Sequence, residues 1–504
     1  MTAATPPADV AAILAHAAHA YGGRTAIDHD GRKATYAEVA REVAGISARL
    51  GAAGVARGDS VAWLGDNGPE ALLAYFAAAW SGAVLVPLHR RLRDEDLARV
   101  LDHAGARVVL VEPALETHAR SWGRRTLVLR WGEREAGAPP PPATVAPDDA
   151  AHLYYTSGST GRAKGVVLTH GNVATHARLA ASALGLSRDD VWLHAAPMFH
   201  LADAWATFSI TLVGGVHRFV ARFEEEAVLR AFESGATVTN LVPTMWNALV
   251  RHPTAAGRRY PALRLLLSGG SAVSADLVRR IRSTFRAEYA QTYGLTETSP
   301  YLTISRLEDG ERALEDDEAC VRLARAGRPM PGVDVAVVRE GGDAVPADGS
   351  TIGEVVARGP TVTPGYRENP EAQAAAFRGG WFRTGDLARV HEDGRIELVD
   401  RTGDVVNTGG EKVFTVDVER ALEGALGVRE LAVVGTPDPH WGEVVTAVVV
   451  PEGPGTTLDL LRAHARGRLA DFKAPRRLVL VDALPRTPSG KISKRDVRAL
   501  AARK

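Results

Sequence analysis

The chain has 504 residues, 45% of them hydrophobic and 24% charged, which is the usage of a folded globular protein and excludes a disordered or membrane-filling one. Lys and Arg number 60, as do Asp and Glu, so no overall field draws the chain to nucleic acid or to an anionic membrane, and any polyanion must be gripped locally. The single cysteine, Cys320, excludes an intrachain disulfide and points to a reducing compartment.

The opening "MTAATPPADVAAILAHAAHA" has no basic residue before Arg24, which argues against a signal peptide, and the closing "AARK" carries no lipidation or peroxisomal signal, so the cytoplasm is the expected location. "TYAEVAREVAGISARL" predicts a helix, because Thr35 and Glu38 form a capping box and Val39, Val43, Ile46 and Leu50 recur at helical spacing. "SVAWL" reads as a short strand. "ALLAYFAAAWSGAVLVPL" is interrupted by Ser81 and Gly82 and closes on Pro87, so it reads as a buried helix turning into a buried strand, not as a membrane span. This alternation predicts mostly parallel α/β layering. "GEREAGAPPPPATVAPDD" is proline-rich and polar, hence a surface loop or linker.

A further boundary falls where the pattern breaks into glycines and charges at "ELVDRTGDVVNTGGEKV". Beyond it lie a helix around Asp417 to Leu426, strands "ELAVVG" and "EVVTAVVV", a helix from Thr457, the strand "RLVLV" and a polar, flexible tail "PRTPSGKISKRDVR". The expected fold is therefore a large N-terminal layered α/β body with mixed sheets plus a small C-terminal α+β domain.

The most informative stretch is "YYTSGSTGRAKGVVLTH". From Gly158, a Walker A loop would need a glycine where Ala163 stands, followed by Lys and Ser or Thr, whereas Lys164 here precedes Gly165. "HLYYTS" and "GVVLTH" both read as strands, so the loop lies between two strands rather than at a helix N-terminus. Inward backbone N–H groups at the glycines, added hydroxyls and the Lys164 charge suit a polyphosphate. The same residue types also make plain solvated hairpin turns.

In chain order, this stretch, "APMFH", "LLLSGGSAV", "QTYGLTETSP", "GWFRTGDLA", "DRTGDVVNTGGEKV" and "PRTPSGKISK" resemble the phosphate loop, substrate-pocket strand, adenine-side turn, nucleotide motifs, hinge and catalytic-lysine loop of the adenylate-forming superfamily, which includes acyl-CoA synthetases, luciferases and peptide-synthetase adenylation domains. The resemblance runs from Thr35 to Arg495. It implies an acid–thiol ligase: a carboxylic acid and ATP give acyl-AMP and pyrophosphate, and CoA then displaces AMP. ATP, Mg²⁺ and CoA are the small molecules it implies.

The resemblance also assigns residues. Lys491 would bridge the acid carboxylate and the α-phosphate. Thr156, Ser157, Thr160 and Lys164 would hold the departing phosphates, Thr296 would meet a phosphate oxygen, and Glu297 with Thr296 would hold Mg²⁺. Gly269, Gly270 and Ser271 would approach the adenine on one side, with Gln291, Thr292, Tyr293 and Gly294 on the other. Asp386 and Arg401 would take the ribose hydroxyls. His200 would stand beside the acyl carboxylate, with the reading of a structural histidine left open.

The resemblance implies that the small C-terminal domain, residues 402–504, is mobile and swings on residues 1–401 between half-reactions; the superfamily's pivot, usually Asp or Lys, corresponds to Gly403, where glycine permits the swing but removes a side chain that helps to hold one state. Amino-acid-activating relatives carry an Asp at the position of Leu201, whereas Asp203 is two residues off, so an amino acid is not expected. The pocket wall, Phe199, His200, Leu201, Ala202, Ala204, Val242, Met245 and Pro300, is mostly apolar, which suits a fatty, alicyclic, aryl or other bulky acid. Arg218 and Arg222 are alternatives for greeting a dicarboxylate, against a solvated role. Trp441, Phe472, Lys473 and Arg476 resemble positions that meet the CoA nucleotide. Three further readings stay open: an enzyme that stops at acyl-AMP, one that loads a carrier protein, and a non-catalytic nucleotide-binding scaffold. The oligomeric state is also open.

Overall fold

The computed structural model describes residues 6–133, 140–157, 163–486 and 492–503. Contacts divide the chain into two compact units, Met1–Val335 with Ala357–Phe382, and Ala336–Val356 with Arg383–Lys504. This division is one of packing, whereas the expected 401/402 boundary is that of a pivot.

In the first unit, two mixed sheets are seen among the described residues. One has seven strands in the order Gly365–Tyr366, Ala163–Thr169, Ala150–Ser157, Val84–Pro87, Ser60–Leu64, Val108–Val111 and Arg125–Val128. Its inner pairs are parallel and only the first three strands are joined antiparallel. The other has nine strands, with Leu265–Ser268 between Val238–Leu241 and Glu288–Gly294, all parallel, and antiparallel strands at its edges.

Local chemistry explains the elements. The helix Tyr36–Ala52 starts on the expected capping box, in which Thr35 N–H donates to Glu38 Oε2 (2.8 Å) and Glu38 N–H to Thr35 Oγ1 (3.3 Å). Its Val39, Val43 and Leu50 are buried. The apolar run becomes the helix Pro69–Trp80 and the strand Val84–Pro87, every residue of both buried except the half-buried Glu70. Gly82, at φ +72°, makes the turn between them. No described helix is long and apolar enough to cross a membrane.

In the second unit, Val428–Asp438 and Gly442–Pro451 form a long antiparallel pair, extended by Val406–Thr408, Glu411–Val413 and Arg477–Leu480. Alternate residues fill two small cores. Val433, Val445, Ala447 and Val449 meet Val418 and Leu422 of the helix Thr415–Leu422 and Leu461 of Leu458–Ala465. Ala432, Val434, Val448 and Val450 meet Val497 and Ala501 of Lys494–Ala501. The sheet is thus covered on both faces, which makes the strands near-continuous apolar runs.

Two expectations need correction here. The helix expected to reach Leu426 ends at Leu422, because Gly424 and Gly427 take φ of +75° and +78°, and Leu426 is left 84% exposed. Part of the tail expected to be flexible is the helix Lys494–Ala501, capped by the Ser493 hydroxyl, which accepts from Asp496 N–H.

Candidate active site

The strands Ala150–Ser157 and Ala163–Thr169 pair antiparallel and set Thr156 opposite Lys164, so the glycine–hydroxyl loop does lie between two strands. Thr160, Lys491 and the Ser157 side chain lie outside the described residues. Lys164 extends its ammonium over the ring of Tyr366, 5.4 Å from the centroid. The Tyr366 hydroxyl donates to Glu297 Oε1 at 3.0 Å. Sequence reasoning missed Tyr366, which sits in a two-residue strand too short to carry a periodic signal.

Thr296 and Glu297 stand in the single turn Thr296–Thr298 that follows the strand Glu288–Gly294. The Glu297 carbonyl accepts from Thr363 N–H at 2.7 Å. A hydroxyl and a carboxylate are a hard-oxygen donor set, which fits Mg²⁺. Among the described residues no three His, Cys, Asp or Glu side chains cluster as a metal cage, so a cation at Glu297 would take its other ligands from phosphate and water.

The strand Leu265–Ser268 runs into the Gly269–Ser271 turn beside Gln291 and Thr292, with Ser268 in register with Gln291. Gln291 Nε2 donates to the Ser271 carbonyl (3.1 Å) and Thr292 Oγ1 to that of Ser268 (3.1 Å). A Cβ at Gly269 would lie 2.4 Å from Thr292 Oγ1, and one at Gly294 1.8 Å from the Pro300 carbonyl oxygen. Close backbone approach therefore requires glycine at both positions. Gly270 takes φ +82°. The turn and the strand come together as expected, with the Gln291 and Thr292 side chains engaged in holding the turn. Tyr293 is buried next to them.

"APMFH" is a turn, not the expected strand: the strand Val191–His194 ends before it and His200 is the N-cap of the helix Leu201–Val213. The reason is Asn67. Its Nδ2 donates to the carbonyls of His194 (3.3 Å), Ala196 (2.9 Å) and Val220 (3.2 Å), and its Oδ1 accepts from Met198 N–H (2.8 Å). Tyr75 OH adds a bond to the Met198 carbonyl at 2.7 Å. The His200 ring lies 4.7 Å from that of Phe199 and 5.0 Å from that of His89.

Of the other expected pocket residues, Phe199, Leu201, Ala204 and Pro300 are buried and Val242 and Met245 half-buried. Asn240 Nδ2 ties the strand that leads to Val242 to the Ala202 carbonyl at 2.5 Å. Asp203 is engaged in the core: its Oδ2 lies 2.6 Å from His194 Nδ1, and burial pushes its carboxyl up despite the imidazole. Arg218 is paired with Asp28 (2.7 Å) and Arg222 with Asp66 (2.8 Å). A cavity of about 400 Å³ lined by Arg57, Asp149, Leu153, Val167 and Arg367 contains none of the expected site residues.

In the second unit, antiparallel pairing sets Asp386 opposite Arg401, and Arg401 Nε donates to Asp386 Oδ1 at 2.8 Å. Asp386 is buried while the Arg401 side chain is 63% exposed. Gly403 lies in the turn closed by Asp404 N–H on the Arg401 carbonyl (2.9 Å), and a Cβ there would meet nothing within 4 Å. Arg476 stacks its guanidinium over Trp441, 4.1 Å from the centroid. Lys473 faces Asp417 at 3.6 Å and Phe472 packs against the unit's core.

Residues 14–367 match the AMP-binding enzyme family and residues 417–491 its AMP-binding enzyme C-terminal domain. A feruloyl-CoA synthase from Amycolatopsis sp is 41% identical over 479 residues, covering 94% of this chain and 95% of that protein. A long-chain-fatty-acid–CoA ligase from Thermus thermophilus is 37% identical over 512 residues, covering 96% and 94%. The crystal structure of ATP-bound MatB from Rhodopseudomonas palustris superposes with a TM-score of 0.87 at 30% identity, covering 98% and 99%. The chain belongs to the AMP-binding enzyme family and is an adenylate-forming acid–thiol ligase of the acyl-CoA synthetase kind.

Proposed function

We propose that this ligase activates a bulky apolar carboxylic acid, aryl, alicyclic or fatty, as its acyl-AMP and transfers the acyl group to CoA. The observation that carries the reading is the meeting of Lys164 and Glu297 on one tyrosine, Lys164 over its ring and Glu297 at its hydroxyl, which brings a cation of the hairpin and a carboxylate suited to a hard metal to the same side chain. Carboxylates attack a polyanionic triphosphate poorly, so a site for this reaction must offset charge as the pentavalent phosphate forms. Thr296 and Glu297 would hold Mg²⁺, whose charge offsets that of the phosphates. Thr156, Ser157, Thr160 and Lys164 hold the departing pyrophosphate. Lys491 bridges the acid and the α-phosphate; one cation at about 4 Å and an effective dielectric near 20 contributes roughly 4 kcal/mol, on the order of a thousandfold in rate.

The adenine lies at Gly269–Ser271 and Gln291–Gly294, and Asp386 with Arg401 takes the ribose. The acid enters at the His200 turn. Its apolar character is supported by the residues there and by the pairing of Arg218 and Arg222 with their own carboxylates, which argues against either of them greeting a dicarboxylate. Trp441 and Arg476 suit the CoA nucleotide, and Gly403 is the pivot between residues 1–401 and 402–504. A panel of aryl, fatty and dicarboxylic acids, assayed for pyrophosphate release with and without CoA, tests this. Release with apolar acids, accelerated by CoA, is expected. Release unaffected by CoA would favour a carrier protein as acceptor, and none with any acid would sink the reading.

A further inference from the structure

Tyr366 stands on a segment held from several sides. Asn172 Nδ2 donates to the carbonyls of Pro360 (2.8 Å) and Val362 (3.1 Å), and Ser299 Oγ to that of Thr361 (2.7 Å). Thr363 N–H donates to the Glu297 carbonyl, and its hydroxyl bonds the Val167 carbonyl. One short segment therefore fixes the backbone of both Glu297 and Tyr366. Tyr366 pairs with Val166 of the strand that carries Lys164. Lys164 is two residues from Val166, so it is the diagonal same-face neighbour of Tyr366. Two like-for-like packing residues would need none of this. Here one side chain contacts the two groups of opposite charge to which the proposed function assigns phosphate and metal.

We propose that Tyr366 is the positioning residue of the metal–phosphate site: its hydroxyl fixes the orientation in which the Glu297 carboxylate meets a divalent cation, and its ring face carries the Lys164 ammonium toward the triphosphate. The inference rests on the proposed roles of Glu297 and Lys164. Phenylalanine at this position would keep the ring and lose the donor, and leucine would lose both.

The test is calorimetric titration of the full chain with ATP, once with EDTA and once with excess Mg²⁺. Tyr366→Phe is expected to bind metal-free ATP within about twofold of wild type and Mg-ATP about tenfold more weakly, the loss of one hydrogen bond to a charged group. Tyr366→Leu is expected to weaken metal-free ATP as well, by about threefold. The Mg²⁺ concentration for half-maximal ATP–pyrophosphate exchange should rise in Tyr366→Phe with the maximal rate retained. Wild-type affinity for Mg-ATP in Tyr366→Phe, or equal losses with and without metal, would overturn the proposal. Wild-type protein that binds Mg-ATP but supports no exchange with any acid would instead defeat the proposed function and leave the binding comparison readable.

Discussion

Asn67→Ala tests whether the His200 turn is the acid site. Asn67 is buried and uses both amide hydrogens and its carbonyl oxygen on the chain from His194 to Met198 and on Val220. Truncation strands the Met198 N–H and at least the Ala196 carbonyl. At about 1–3 kcal/mol for each buried group left unsatisfied, the loss should be about 3–5 kcal/mol, a large share of the roughly 5–15 kcal/mol that holds a protein folded. The turn would relax with it and carry His200 and Phe199 away from their positions. Urea unfolding reads the stability, and ATP–pyrophosphate exchange reads KM for acid and for ATP separately. The expected result is a KM for acid raised about tenfold, equivalent to about 1.4 kcal/mol, with KM for ATP near wild type. Asn67→Asp keeps an acceptor for Met198 but turns a carboxylate on three carbonyls, so it should do no better than alanine. If both KM values rise together, or the stability loss is under about 1 kcal/mol, the turn is not held in this way.

Lys491→Ala should lower acid-dependent ATP–pyrophosphate exchange on the order of a thousandfold while preformed acyl-AMP still passes to CoA; equal loss of both half-reactions would remove the role assigned to it. Gly403→Pro should slow thioester formation more than adenylation in single-turnover assays, and because a Cβ there meets nothing, any such split would come from backbone restriction rather than a clash. Acid should destabilise the fold through its buried histidines. Burial pushes His152 and His176 down to about 3, so below the ordinary value near 6.5 the unfolded chain binds protons that the folded one refuses. Stability is then lost as pH falls from about 6.5 toward 3, by about 2 kcal/mol per residue at pH 5. His152→Leu should flatten the pH dependence of the urea midpoint by about one proton, and an unchanged slope would exonerate His152.

The parts legible in the sequence are those where chemistry or period dictates residue type. Thr35 and Glu38 announced a helix start because a cap needs those side chains at that spacing. The Pro69–Trp80 and Val84–Pro87 elements were legible from an apolar run broken by a glycine that the turn requires. The hairpin carrying Thr156 and Lys164, the Gly269 turn and the Asp386–Arg401 pair were legible because close backbone approach or charge demands those types. "APMFH" misled because its composition suits a strand, while Asn67, up to 131 residues away in sequence, captures its Ala196 carbonyl and Met198 N–H. Leu426 misled because helical spacing continues past Gly424, although the helix has already ended at Leu422.

The residues missed share a feature that explains the omission. Asn67, Asn240 and Tyr366 act on atoms that carry no sequence signature: backbone carbonyls, a backbone N–H, or a carboxylate 69 residues away. A group that must react or hold charge is constrained in type wherever it stands, whereas a group that positions another is constrained only by what folding brings within about 3 Å of it. For this chain that difference separates two kinds of variant. Removing Lys164 or Glu297 should cost the interaction itself, but removing Tyr366 should leave both groups present and lose their relation. The defect would then appear as an altered metal requirement rather than an absent activity.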